Sequence, residues 1–234
     1  MPHSNSTILL ALLLLLPGFA SNVMAQASQR PNFIVVMADD LGYGDLGIYG
    51  STLIDTPNID LMALQGMRLN SFYSSANVCT AARGGLLTGR YPIRLNLVSD
   101  VARPTNEIHI ARDEITLAEA LKELGYSTAL FGKWHLGDQP QFLPTAQGFD
   151  AYYGIPYSND MWPFHPGVAH LPLAQRLKRW PHLPLFDKET IVNPMVPPKD
   201  QAQLTTWYTE RAVRFIDKNK PQPFFLYVPH SMPH

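Results

Sequence analysis

Asn32 to Ala38, NFIVVMA, is a continuous apolar run with β-branched residues at its centre. That pattern predicts a central parallel strand covered on both faces. It stops at Asp39-Asp40, and LGYGDLGIYG supplies the glycines of a loop. Thr56-Pro57 starts a helix with proline at its first position, NIDLMALQ continues it and Gly66 closes it. MRLNSFYS (67–74) reads as another strand, and CTAARGGLLTG as a helix begun near Cys79 and stopped at Gly89. Thr116 and Glu119 form a capping box for LAEALKEL, ended by Gly125, and YSTALFG (126–132) is then a strand leading into KWHLG. Residues 154–200 are proline-rich and irregular apart from a basic helical piece, LAQRLKRW. LTTWYTERAVRFIDKN has helical spacing, and PFFLYV (223–228) is a last strand running into PHSMPH.

Strands alternating with helices predict an α/β fold with a mostly parallel sheet flanked by helices. Such sheets bind ligands beyond the carboxyl ends of their strands. Three strands here end in groups suited to chemistry: Asp39-Asp40, Lys133 with His135, and His230 with His234. A parallel sheet would bring all three to one rim.

The N-terminus alters the setting. ILLALLLLLPGFA is too short to span a bilayer comfortably, and NVMAQA after it offers a small-residue cleavage site at Ala27. Residues 1–27 read as a signal peptide, a retained anchor being the rival, and the mature chain would be periplasmic or secreted without stable membrane insertion. A formal net charge of −1 gives no field that selects nucleic acid. Cys79 is the one cysteine of the chain. In an exported protein an unpaired cysteine is an inert buried thiol, half of an intermolecular bond, or a reactive group.

Adjacent carboxylates after a buried strand call for a neighbouring positive charge, such as Ca²⁺ or Mg²⁺. Asp40 capping a turn in a solvated loop is the plainer alternative. Lys133, His135 and Arg83 gathered at one rim would form an anion site, to which a helix starting at Cys79 would add.

Together PNFIVVMADDLGYGDLGIYG, CTAARGGLLTGRYP, GKWHLG and FFLYVPHSMPH resemble the type I sulfatases, the arylsulfatase A and N-acetylgalactosamine-6-sulfatase group above all. The resemblance runs from Pro31 to His234. It implies an alkaline-phosphatase-like core and hydrolysis of aryl or carbohydrate sulfate esters. It also implies that a formylglycine-generating or other maturing enzyme converts Cys79 to formylglycine. The hydrated aldehyde would attack sulfur with one hydroxyl and expel sulfate by losing a proton from the other. On the same resemblance Asp39, Asp40 and the modified Cys79 would be Ca²⁺ ligands, and Arg83 would hold the hydrated aldehyde. Lys133, Ser158 and His234 would bind sulfate, with His234 also serving the leaving group, and His135 would take the hemiacetal proton.

Ala81 stands where proline is commoner in the modification motif, and Gly84-Gly85 lower the helix propensity after it. The family's later Asp-Asn metal ligands, later lysine, outer strands and C-terminal subdomain have no counterpart, so residues 28–234 read as an incomplete N-terminal portion of the catalytic domain. Two rivals stand beside this reading: a phosphodiesterase or phosphonate hydrolase of the same superfamily, and a fragment without catalysis.

Overall fold

In the computed structural model, residues 30–104 and 106–234 are described; the expected signal peptide lies outside them. Strand β1 is Phe33–Asp39, followed by α1 (Pro57–Gln65), α2 (Cys79–Thr88) and α3 (Leu117–Glu123). Then come β2 (Ser127–Lys133), β3 (Ala151–Ile155), α4 (Leu173–Arg179), β4 (Leu185–Asp187) and β5 (Thr190–Asn193). The short α5 (Pro198–Gln201), the long α6 (Leu204–Asn219) and β6 (Phe224–Pro233) complete the order.

The strands form one sheet in the order β1-β6-β2-β3-β4-β5. Strands β1, β6, β2 and β3 run parallel, while β4 and β5 add antiparallel pairs at the far edge. Consecutive residues of β2 enter different cores: Leu130 joins Trp134, Tyr152, Phe225 and Tyr227, while Ala129 and Phe131 join Tyr153, Leu226 and Val228. Side chains alternate across a strand, so β2 and β6 are covered on both faces. Leu204, Tyr208 and Ala212, one turn apart along α6, seal the second core. Ala118 and Leu121 of α3 belong to the first. The predicted capping box starts α3: the Glu119 amide donates to Thr116 Oγ1 at 3.1 Å and the Thr116 amide to Glu119 Oε2 at 2.7 Å.

Four expectations need correction. β1 is an edge strand of the described sheet, and Ile34 and Val36 stand 50% and 63% exposed. Its composition matches a covered strand, yet among the described residues nothing covers that face. Residues 67–74 form turns and irregular chain, because among the described residues no strand pairs with them. The 154–200 stretch contains the β4–β5 hairpin as well as α4. The final strand also runs to Pro233, which places His230 inside it.

The Gly84-Gly85 pair has a packing reason. A Cβ on Gly84 would stand 2.5 Å from Leu97 Cδ1, and one on Gly85 would stand 2.2 Å from Ser75 Oγ. The helix carrying Cys79 therefore sits closer to its neighbours than a side chain permits. No helix among the described residues is long and apolar enough to cross a membrane.

Gly84→Ala discriminates propensity from packing. Propensity alone would stabilise α2 by about 1 kcal/mol, whereas overpacking Leu97 costs about 1–3 kcal/mol. We expect net destabilisation, seen in urea unfolding as a lower midpoint without a change in slope.

Candidate active site

Three elements converge on the carboxylate of Asp39, which ends β1 and is 5% exposed. Lys133, the last residue of β2, donates from Nζ to Asp39 Oδ2 at 2.5 Å and to Ser158 Oγ at 3.1 Å. Arg83 of α2 places Nη2 3.3 Å from Asp39 Oδ1. Its other contacts are to backbone: Nη1 donates to the Lys133 carbonyl at 2.6 Å and Nη2 to that of His230 at 3.4 Å. Both cations are fully buried. Two cations around one carboxylate leave the buried cluster with an excess of one positive charge.

Cys79 is the first residue of α2, half-buried, and lies one helical turn before Arg83. Residues four apart share a helix face. Both line a cavity of about 590 Å³, together with Asp39 and Asp40. The helix start contributes its partial positive charge there.

His135 is wholly buried and takes a left-handed backbone conformation at φ 63°. Its Nε2 lies 2.9 Å from the Ala102 carbonyl, so this nitrogen carries the proton and donates. Nδ1 is then a free lone pair, with no hydrogen-bond partner. Burial first, and then the charges of Lys133 and Arg83, hold the imidazole well below its ordinary pKa, so it is neutral. His234 follows β6 and sets Nδ1 2.7 Å from Asp40 Oδ2 and Nε2 3.6 Å from Asp160 Oδ1. Burial alone would raise the Asp160 carboxyl, but Ser158, His234 and Lys133 hold it below the usual carboxylate range.

Asp39, Asp40 and His234 place ligand atoms within 4.8 Å of one another. Two hard carboxylate oxygens and an imidazole suit a divalent cation in kind. They are fewer than the six to eight ligands that calcium takes.

The structure thus brings Asp39, Arg83, Lys133 and Ser158 into direct contact, joins Asp40 to His234, and sets Cys79 on the adjoining cavity wall. Two participants escaped the sequence reading. Thr80 is fully buried, accepting the Ala102 amide at 2.9 Å and donating to the His135 carbonyl at 3.0 Å. It thereby ties the position beside Cys79 to the backbone of His135 and to that of Ala102, whose carbonyl His135 Nε2 meets. Asp160 was missed although it stands two residues after Ser158, in GIPYSND (154–160). An acidic residue in a polar loop carries no signal until His234 is seen beside it.

A histidine kept neutral by the fold has a linkage consequence. Unfolded chains take up its proton near pH 6.5, and the folded state does not. Stability therefore falls as pH drops below that value. His135→Gln removes this contribution. The stability difference between wild type and variant should shift against the wild type from pH 7 to pH 5, by at most about 1.4 kcal/mol per pH unit. Urea titrations at several pH values give the two profiles.

The chain matches known proteins over this same span. A family model described as Sulfatase covers residues 31–234. Arylsulfatase G of Rattus norvegicus is 40% identical over 215 residues, 85% of this chain and 40% of that protein. N-acetylgalactosamine-6-sulfatase of the same species is 38% identical over 239 residues, covering 95% of this chain and 43% of its own length. The chain thus spans less than half of the curated relatives it matches. Among solved structures, Ps i-CgsB in complex with k-i-k-neocarrahexaose superposes with a TM-score of 0.71 at 34% identity, over 88% of this chain and 46% of that one. A phosphonate monoester hydrolase of Agrobacterium radiobacter, at 20% identity and TM-score 0.56 over 88% of this chain and 41% of that one, shares the fold alone. The match of the family model to nearly every described residue settles the assignment: the chain belongs to the sulfatase family.

Proposed function

We propose that this chain carries the nucleophile, one side of the metal site and most of the sulfate pocket of a sulfuric ester hydrolase. The observation that carries the reading is the buried excess positive charge of Lys133 and Arg83 around Asp39, next to Cys79 at a helix start. A buried cationic cluster opening on a cavity favours an anionic oxygen ester.

Each side chain has work that its contacts permit. Lys133, held between Asp39 and Ser158, offers its remaining proton to a sulfate oxygen, and the Ser158 hydroxyl lies within the same reach. Arg83 is anchored by two backbone carbonyls and stabilises charge at position 79. His135 is the proton acceptor, because its Nδ1 lone pair is free and its neutrality is enforced. His234, at the accessible rim, serves sulfate and the departing alcohol. Formylglycine made from Cys79 would supply an aldehyde whose hydrate carries the attacking hydroxyl. Asp39 and Asp40, with position 79, would hold Ca²⁺, which supplies charge neutralisation at the nucleophile and ester.

The substrate class we infer is a sulfated carbohydrate or small aryl sulfate. The carbohydrate in the Ps i-CgsB structure and the name of the N-acetylgalactosamine-6-sulfatase relative support the first. A formylglycine-generating or equivalent enzyme would be the partner in maturation, and the apolar segment before residue 28 supports a periplasmic or secreted site of action.

Two measurements test this. Co-production with a maturing enzyme that accepts the Cys-x-Ala-x-Arg pattern should convert Cys79, read in the peptide mass as lost sulfur and confirmed by hydrazide labelling. A persistent thiol would remove the nucleophile from the reading. Calorimetric titration with inorganic sulfate should show Lys133→Met binding about tenfold more weakly, ~1.4 kcal/mol, with circular dichroism confirming the fold. Equal sulfate affinity in the two proteins would place the anion elsewhere.

A further inference from the structure

Residues 156–184, between β3 and β4, form a long excursion that leaves and returns at the active-site rim. β3 runs parallel to β2 with Ile155 opposite Lys133, and β4 pairs back antiparallel with Phe186 opposite Gly154. Both ends of the excursion therefore lie beside Lys133, and Asp160 near its start reaches His234. Its composition is one-sided. From Met161 through Phe186 there is no aspartate or glutamate, while Arg176, Lys178 and Arg179 are present. The whole chain has 19 acidic residues against 18 basic ones, so this stretch departs from the rest. Arg176 is used locally, its guanidinium donating to the Ala169 and Leu171 carbonyls before α4. Lys178 and Arg179 are exposed and have no acidic partner among the described residues. Arg179 lies instead over the Trp180 ring, 5.8 Å from its centroid. The excursion also presents an aromatic surface. Phe164 is 45% exposed and stacks on exposed His182, with ring centroids 6.2 Å apart and planes 29° apart. This surface is held in place: Trp162 meets Phe164 edge-on at 5.3 Å and packs onto the second core, and Tyr157 Oη donates to the His182 carbonyl at 3.1 Å. Val168 and Leu183 of the excursion are buried.

We propose that this excursion is a second binding region for a sulfated polysaccharide, receiving sugar units beyond the one whose sulfate reaches Lys133. Lys178 and Arg179 pair with sulfates on those further units, and the Phe164–His182 pair lies against a sugar ring. The proposal rests on the sulfatase reading for the unit at Lys133 and narrows it: the substrate is a chain bearing several sulfates, and a small aryl sulfate leaves this region empty. Unpaired exposed cations attract a polyanion, and an arginine fork matches the oxygens of an oxyanion. A fixed aromatic face suits the C–H face of a sugar ring, because its contact is apolar and asks for no hydrogen-bond partner. Three observations favour a sugar chain over nucleic acid or an anionic membrane. The region is continuous with a rim built for an anionic oxygen ester. It pairs its cations with a ring face. Its two unpaired cations also fall short of the about six to ten phosphate contacts of a DNA-binding surface and of the about four to eight basic residues of a lipid-binding cluster.

The test reads binding and so needs no matured nucleophile. Hexasaccharides of heparin, chondroitin sulfate and ι-carrageenan are titrated calorimetrically into the chain at physiological ionic strength, beside inorganic sulfate, duplex DNA and phosphatidylserine vesicles. At least one hexasaccharide should bind about tenfold or more tightly than inorganic sulfate. Lys178→Ala with Arg179→Ala should remove most of that gain, and Phe164→Ala should reduce it. Neither variant should change the affinity for inorganic sulfate, and their exposed positions should leave circular dichroism and the unfolding midpoint as in wild type. Lys218→Ala with Lys220→Ala removes the same charge at the end of α6, which precedes the start of β6 and so lies away from the rim. This control should bind the hexasaccharide as wild type does. Hexasaccharides no tighter than sulfate, a gain indifferent to the Lys178–Arg179 variant or to Phe164→Ala, or an equal loss in the control overturns the proposal. So does DNA or vesicle binding as tight as that of the best hexasaccharide, which would assign the surface to another polyanion. Failure of the sulfatase reading would appear elsewhere, as equal inorganic sulfate affinity in wild type and Lys133→Met.

Discussion

The carboxylate of Asp39 is the point on which the rest of the site depends. It draws Lys133 from β2 and Arg83 from α2 onto the end of β1, joining three elements separated widely along the chain. Two buried cations without it would repel each other in a medium that screens poorly. Removing one member of a buried ionic group costs about 3–5 kcal/mol because the others are left uncompensated. The same cluster fixes local backbone: Arg83 holds the carbonyls of Lys133 and His230, and so locks the end of β2 and the interior of β6 to the helix that starts with Cys79. Site and fold are stabilised by one set of contacts.

Local signals carried much of this arrangement into the sequence. The Thr116–Glu119 box, the helix from Cys79 to Gly89 and the apolar strands β2 and β6 are each encoded within a dozen residues, and each appears in the structure. The polar groups after successive strands also announced a rim, since parallel strands must end on one side. The motif resemblance added an expected role for Cys79 and Lys133 that their neighbours alone do not give.

Long-range packing was harder to read. The Gly84-Gly85 pair appears as a weakness in helix propensity until Leu97 and Ser75 are placed against it. The buried role of Thr80 depends on an amide 22 residues away and a carbonyl 55 residues away. The β4–β5 hairpin is short and proline-flanked, and its register slips between Leu185 and Phe186, which leaves no clear alternation. β1 is the instructive case: its residues encode cover on both sides, but the described residues supply it on only one. Local hydrophobicity records the environment a strand is adapted to, which need not be present in the same stretch of chain.

The burial of the residues around Cys79 also bears on the order of events in biosynthesis. Thr80, Ala81 and Arg83 are at most 1% exposed, and two of them are fastened to distant backbone. An enzyme that recognises Cys79 through these neighbours must meet them as an extended, unpacked segment. On the proposed reading, once β2 and β6 assemble around Arg83 the residues that such an enzyme would read are inside the protein and the opportunity has passed. Chemical maturation and folding would then be competitors in time, and the first must finish before the second.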